Sequence, residues 1–145
     1  MNNKIQLVVV DDNPIFLEGM ATFLSSGKYE IMARFASGIA LLENINDYDP
    51  DLVLLDIEMP VLNGIETARK LNRFGVQLKL VAITLYHDNV YIKELMEAGF
   101  RGMVNKNKVS DQLYSVLDLV LEGELVFPDS KPENEGIQYS GYVNN

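Results

Sequence analysis

The sequence has no cysteine and a single histidine, His87, among its 145 residues. Without cysteine there can be no disulfide framework, no thiolate zinc site and no thiol nucleophile. One histidine is too few for a multi-histidine metal cluster. These absences exclude disulfide-stabilised scaffolds, zinc-thiolate proteins and cysteine-nucleophile enzymes.

Long apolar runs are also missing. The first apolar run, over residues 5–10, is too short for the core of a signal peptide and is followed at once by two aspartates. No run approaches the roughly 18 apolar residues needed to cross a bilayer. We therefore expect a cytoplasmic protein with no membrane partner.

Basic residues are few relative to acidic ones: 12 Lys and Arg stand against 21 Asp and Glu, which gives a formal net charge of −9. A surface of this sign repels phosphate backbones, so direct nucleic-acid binding by this chain is not expected. Hydrophobic residues make up 48% of the sequence, as in ordinary globular proteins. The length fits one domain with a sizeable core.

Two kinds of apolar segment alternate along the chain. Short runs rich in β-branched residues predict strands at residues 5–10, 29–35, 51–55, 78–83 and 102–104. Helical spacing predicts a helix that opens at Asn13-Pro14, helices over 37–45, 65–74 and 90–98 with Asp88 as the cap of the last, and a helix from a Ser110 cap to Gly123. Residues 129–145 are polar, lack periodicity and are expected to form a tail or linker.

This alternation predicts an α/β fold. Five strands, each followed by a helix, specify an open parallel sheet with helices on both faces. Ligands of such sheets bind outside the carboxyl ends of the strands. The functional residues are therefore expected at that edge.

Polar side chains collect at the predicted strand ends. Asp11 and Asp12 follow the first strand, Asp56 the third and Thr84 the fourth, and Lys106 comes just after the fifth. Three carboxylates at one sheet edge repel one another, and a hard divalent cation such as Mg²⁺ suits them. A carboxylate can also act as a nucleophile toward phosphorus, with a cation, an ammonium and a hydroxyl on the phosphoryl oxygens. The set therefore indicates an aspartyl-phosphate site.

Four motifs carry a family resemblance: Val-Val-Asp-Asp at 9–12, Leu-Leu-Asp-Ile-Glu-Met-Pro at 54–60 with Asn63-Gly64, Ala-Ile-Thr at 82–84, and Ala-Gly-Phe-Arg-Gly-Met-Val-Asn-Lys at 98–106. Each is weak alone, but in this order and spacing they resemble the receiver domain of two-component response regulators. The resemblance covers residues 4–127 and places a receiver domain at 1–128. It implies the flavodoxin-like strand order 2-1-3-4-5.

The resemblance also assigns roles to residues. It implies that Asp56 accepts a phosphoryl group from a sensor histidine kinase. Asp12 would bind Mg²⁺ directly, Asp11 chiefly through water, and Glu58 through its backbone carbonyl. Thr84 and Lys106 would contact the phosphoryl oxygens. A homodimer through the face made by the fourth helix, fifth strand and fifth helix is a further implication.

The Asp-Asp-Asn-Pro-Ile-Phe opening and the Gly-Glu-Leu-Val-Phe-Pro ending resemble the LuxR/NarL-like subfamily, whose receiver precedes a helix-turn-helix domain. Residues 129–145 are too few to form such an output domain. We therefore expect a receiver from a longer transcription regulator, with a stand-alone receiver as the alternative. Any DNA contact would then belong to a C-terminal domain that this chain lacks.

Several positions depart from the family pattern. Met103 stands where an aromatic switch residue is common, and Tyr86 is a candidate substitute. Leu85 replaces a usually small residue and could narrow access to Asp56. Asn107 stands where many members have a proline after a cis peptide, so the isomer of this bond is open.

Three other readings of the sequence stay open. An aspartate-nucleophile phosphohydrolase would use Glu58 as its acid/base, although the Asp11-Asp12 pair and the lack of room for a cap domain favour a receiver, which is a phosphoacceptor rather than an enzyme. A degenerate receiver would bind partners without phosphorylation, against the complete acceptor set. A flavodoxin-like cofactor binder would need a phosphate loop that is absent after the first strand.

Overall fold

The computed structural model describes residues 3–25, 27–85, 89–128 and 139–142. Within these ranges the chain forms seven strands and five helices. The strands are β1 Ile5–Val10, β2 Tyr29–Phe35, β3 Leu52–Asp56, β4 Leu80–Thr84, β5 Phe100–Asn105, β6 Leu125–Pro128 and β7 Tyr139–Tyr142. The helices are α1 Pro14–Phe23, α2 Gly38–Asn44, α3 Gly64–Arg73, α4 Asn89–Glu97 and α5 Val109–Leu121.

All seven strands belong to one sheet, in the order β2-β1-β3-β4-β5-β6-β7. The pairs from β2 to β6 are parallel, and β7 is antiparallel to β6. The prediction of a parallel sheet with order 2-1-3-4-5 is confirmed for the first five strands, but the prediction of only five strands is wrong. The sixth was missed because its four residues are too short for a clear pattern, and β7 lies inside the segment expected to be a tail.

Helices cover both faces of the sheet, as predicted. On one face, α2, α3 and α4 contribute buried residues such as Leu41, Leu71 and Leu95. On the other, α1 and α5 contribute residues such as Met20 and Leu117. The central strands β3 and β4 are buried along their whole length, because parallel strands with helices on both sides have no solvent face.

Local chemistry fixes two helix starts next to the predicted site. Asn13 caps α1 by accepting a hydrogen bond from the Ile15 N–H at 3.0 Å. Asn63 caps α3 in a reciprocal box with Glu66, with N···O distances of 2.8 and 3.0 Å. Gly64 is required there, because a Cβ on it would lie 2.4 Å from the backbone oxygen of Asp56. Helix α3 is therefore seated directly against the end of β3.

Two predicted caps have different outcomes. Ser110 does not cap the last helix: α5 already begins at Val109, after a 3₁₀ turn over Lys106–Lys108 that the Asn105 side chain caps. Asp88 lies outside the described residues. None of the helices in the described part of the chain is both long and apolar enough to span a membrane.

A second polar cluster lies at the opposite, amino edge of the sheet and joins β2 to α5. The Tyr29 hydroxyl donates a hydrogen bond to the Asp118 carboxylate. The Lys28 ammonium lies 2.9 Å from the same carboxylate. We call Lys28, Tyr29 and Asp118 the amino-edge cluster.

Candidate functional site

Three carboxylates meet at the carboxyl edge of the sheet. Asp11 and Asp12 follow β1, and Asp56 is the last residue of the neighbouring strand β3. One carboxylate oxygen from each lies within 4.8 Å of the others. Asp11 and Asp56 are each 1% exposed, whereas Asp12 is open to solvent. The structure therefore brings together the three acidic residues that the sequence singled out.

Lys106 supplies the positive charge of this cluster. Its Nζ lies 2.8 Å from Asp11 Oδ2 and 3.5 Å from Asp56 Oδ2. The Phe16 ring, on the first turn of α1, has its centroid 4.7 Å from the same nitrogen, a distance at which the ring face attracts a cation. In the sequence Phe16 appeared only as the last residue of the Asp-Asp-Asn-Pro-Ile-Phe opening, so its contact with Lys106 was not predicted. We call Asp11, Asp56 and Lys106 the carboxyl-edge cluster.

The two buried carboxylates compete for one ammonium. Burial and the charge of Asp11 raise the pKa of Asp56 to about 7, although Lys106 acts in the opposite direction. Burial acts to lower the pKa of Lys106, but the two carboxylates outweigh it and raise that pKa. Lys106 therefore stays charged, while the surroundings of Asp56 still disfavour its ionised form.

The carboxylate group could hold a metal ion. Oδ2 of Asp11 and Oδ2 of Asp56 are both buried, and neither accepts a hydrogen bond of ordinary geometry from the described residues. Such atoms normally have a partner, and their contacts with Lys106 are ion pairs only. A hard cation with oxygen ligands fits an all-carboxylate donor set of this kind.

Glu58 and Thr84 are connected in a way that the sequence did not reveal. The Glu58 N–H donates to Asp56 Oδ1 at 3.2 Å. The Glu58 carboxylate accepts a hydrogen bond from the Thr84 hydroxyl at 2.7 Å and one from the Leu85 N–H at 3.3 Å. Thr84 ends β4, next to β3, and is 2% exposed. The loop after β3 is thereby joined to the end of β4.

The positions that depart from the family pattern lie in different environments. Met103 is completely buried in the core beneath α2, α3 and α4. The Leu85 side chain is 48% exposed. Tyr86 lies outside the described residues. Asn107 lies in the 3₁₀ turn after β5, and the described residues contain no cis peptide bond.

Residues 7–118 match the response regulator receiver domain family. The match covers most of the chain, and it agrees with the sheet order and with the acidic edge described above. The chain therefore belongs to the receiver domain family of response regulators.

The relatives that the chain matches include transcriptional regulatory proteins. The chain is 29% identical over 143 residues to the transcriptional regulatory protein DegU of Brevibacillus brevis, covering 98% of this chain and 61% of the relative. It is 30% identical over 125 residues to the transcriptional regulatory protein LnrK of Bacillus subtilis (strain 168), covering 86% of this chain and 57% of the relative. The chain thus spans about three fifths of the length of these relatives.

A solved structure gives the same family. The signal receiver domain of the response regulator NarL from Mycobacterium tuberculosis superimposes with a TM-score of 0.74 at 28% sequence identity. The similarity covers 83% of this chain and 98% of that domain. The resemblance first stated from four motifs is therefore confirmed.

Proposed function

We propose that this chain is a phosphorylation-dependent switch in which Asp56 accepts a phosphoryl group from a sensor histidine kinase. The observation that carries the proposal is the carboxyl-edge cluster together with Asp12: a buried carboxylate at the end of β3 lies 3.5 Å from a partly buried ammonium and beside two further carboxylates. Family membership supports the identity of the donor.

The chemical step is a phosphoryl transfer between two nucleophiles. An Asp56 carboxylate oxygen forms a bond to phosphorus, the P–N bond of the kinase phosphohistidine breaks, and the electron pair of that bond returns to the imidazole nitrogen. The Lys106 ammonium and the Thr84 hydroxyl would contact the phosphoryl oxygens. Thr84 is the last residue of β4, which pairs with β3, and Lys106 directly follows β5, which pairs with β4.

Mg²⁺ is the metal we assign to the carboxylates. Asp12 would hold it directly, Asp11 chiefly through water, and Asp56 and the Glu58 carbonyl from the β3 side. The ion supplies neutralisation of the charge that builds up on the phosphoryl oxygens. The exposure of Asp12 beside two buried carboxylates supports a site that is open to solvent and to the donor.

Transcription regulation belongs to the longer protein that this proposal assumes. DegU and LnrK are named as transcriptional regulatory proteins, and the chain matches about three fifths of each. With a net charge of −9, this chain would leave DNA contact to a C-terminal output domain. Cytoplasmic residence and a homodimer through α4, β5 and α5 stay predictions, and β6 lies beside β5 on that side of the sheet.

The test is phosphorylation by a small acyl phosphate with Mg²⁺, followed by intact-mass measurement. We expect one phosphoryl adduct on the wild type and none on Asp56→Asn. Asp118→Asn, a matched change at the amino-edge cluster, should keep the adduct. No adduct on the wild type, or an equal one on Asp56→Asn, would refute the assignment. Steady release of phosphate from an unrelated phosphomonoester would favour the phosphohydrolase alternative.

A further inference from the structure

One carboxylate already binds donors next to the phosphoacceptor. The two oxygens of Glu58 accept one hydrogen bond each, from the Thr84 hydroxyl at 2.7 Å and from the Leu85 N–H at 3.3 Å. The Glu58 backbone N–H is at the same time bonded to Asp56. The carboxylate thus belongs to the loop that follows the phosphoacceptor, and it binds the end of the next strand.

These donors are of the kind that an anionic phosphoryl group needs. A phosphoryl group on Asp56 would have three acceptor oxygens, and the proposed function assigns Thr84 to one of them. A hydroxyl has one proton to donate, and in the structure it points to Glu58. If the hydroxyl donates its hydrogen bond to a phosphoryl oxygen instead, the 2.7 Å bond to Glu58 is broken.

Charge also opposes the simultaneous binding of the Glu58 carboxylate and a phosphoryl group next to Thr84. A phosphoryl group and an ionised carboxylate that share one donor are like charges at close range, and like charges raise the free energy of the state in which both are held. Glu58 lies on the loop between β3 and α3 and is only partly buried. It can therefore turn to solvent when the phosphoryl group arrives, at the loss of both of its hydrogen bonds.

We propose that the Glu58 carboxylate competes with the phosphoryl group for the Thr84 hydroxyl and the neighbouring Leu85 N–H, and so limits how fully Asp56 is phosphorylated. The inference rests on the proposed function. It gives the Glu58 side chain a regulatory role, whereas the proposed function uses only the Glu58 backbone carbonyl. Glu58 acts here as a positioning residue for Thr84, not as a catalytic residue.

The test measures the affinity of the whole chain for beryllofluoride, a phosphoryl mimic, by calorimetric titration with Mg²⁺. Glu58→Ala removes the charge and both acceptors, and we expect roughly tenfold tighter binding. Glu58→Gln removes the charge but keeps an oxygen for Thr84, so we expect a smaller gain of roughly threefold. Glu43→Gln, the same change at an exposed position of α2, is the matched control and should bind like the wild type.

A second pair of variants isolates the shared donor. In a Thr84→Ala background, Glu58→Ala should give a clearly smaller gain than in the wild type, because the donor for which the two anions compete is gone. An undiminished gain, equal gains for Glu58→Ala and Glu58→Gln, or no gain at all would overturn the competition. Failure of the proposed function looks different: the wild type would not bind beryllofluoride, or Asp56→Asn would bind it equally well.

Discussion

The two polar clusters of this protein hold a carboxylate in opposite ways, half-exposed at the amino edge and buried at the carboxyl edge. At the amino edge, Asp118 takes a hydrogen bond from Tyr29 and an ion pair from Lys28. Burial acts to raise the pKa of Asp118, but these two donors outweigh it and lower that pKa. At the carboxyl edge, burial and Asp11 raise the pKa of Asp56 to about 7. One carboxylate is satisfied as an anion, and the other is not.

The difference separates a structural site from a reactive one. A carboxylate whose single negative charge is met by two or more hydrogen-bond donors stabilises the fold. A carboxylate with a like-charged neighbour and an unfilled oxygen carries a free-energy cost that an incoming cation or phosphoryl group can relieve. The four predictions below test this contrast, from the largest expected effect to the smallest.

The largest effect is the pH dependence of stability without metal. Asp56 has a pKa of about 7 in the folded chain and an ordinary value of 3.8, so between these values the folded state keeps a proton that the unfolded state releases. The free energy of unfolding should therefore fall by roughly 4 kcal/mol as the pH rises through this window. Urea titrations in a chelator should show this fall, and Asp56→Asn should lack most of it. An equal fall in both proteins would contradict the assignment to Asp56.

Neutralising one carboxylate at each edge should change stability with opposite signs. At about pH 8 without metal, Asp56→Asn should raise the free energy of unfolding by roughly 3 kcal/mol, because it removes a buried charge next to Asp11. Asp118→Asn should lower it by about 1 kcal/mol, because it weakens the hydrogen bond from Tyr29 and the exposed pair with Lys28. Denaturant midpoints of the wild type, Asp56→Asn and Asp118→Asn test both expected changes in stability. Two changes of the same sign would mean that the clusters do not differ as described.

Mg²⁺ should stabilise only through the carboxyl edge. At a concentration about a hundred times its dissociation constant, a ligand of the folded state adds about 2.7 kcal/mol. We expect the melting temperature to rise with Mg²⁺ in the wild type and in Asp118→Asn, and to stay unchanged in Asp12→Ala. A rise that survives in Asp12→Ala would place the ion elsewhere.

The smallest effect concerns the outer member of the amino-edge cluster. The Lys28 side chain is 58% exposed, and exposed ion pairs contribute about 0.2–1 kcal/mol. Lys28→Met should therefore lower the free energy of unfolding by no more than about 0.5 kcal/mol, and high salt should reduce the difference further. A loss several times larger in urea titrations would show that the amino edge depends on charge as strongly as the carboxyl edge does.

Much of the fold could be predicted because its strongest signals are local. Strands β1, β3 and β4 are predominantly apolar runs, and Asn13-Pro14 and Asn63-Gly64 are residue types that begin helices. The same locality explains what was missed. Four residues, Leu125–Pro128, are too short for a periodicity, and Tyr139–Tyr142 contains no apolar run at all. Helix α5 begins before Ser110 because a cap five residues earlier, at Asn105, already starts a 3₁₀ turn that leads into the helix.

The candidate site was predictable as a set of residues but not as a set of contacts. Topology alone brings Asp11, Asp56 and Lys106 to one edge, because parallel strands end on the same side. Topology does not say which carboxylate the ammonium binds more closely, nor that Phe16 lies against it. The bond from Thr84 to Glu58 depends on the direction of two side chains from different loops, which no sequence spacing encodes.

Strands β6 and β7 together decide at which edge of the sheet the described part of the chain ends. Helix α5 returns the chain to the amino edge, and four residues of parallel strand then carry it back across the sheet, about 13 Å at the usual rise. The pairing of Val126 with Gly102 puts Pro128 level with Val104, two residues before Lys106. The end of β6 therefore lies next to the strand end that holds the ammonium, and antiparallel β7 leads back along β6 until Tyr142 lies opposite Leu125. A displacement of the end of β5 has a hydrogen-bonded route through β6 and β7 to the amino edge, where the described part of the chain ends.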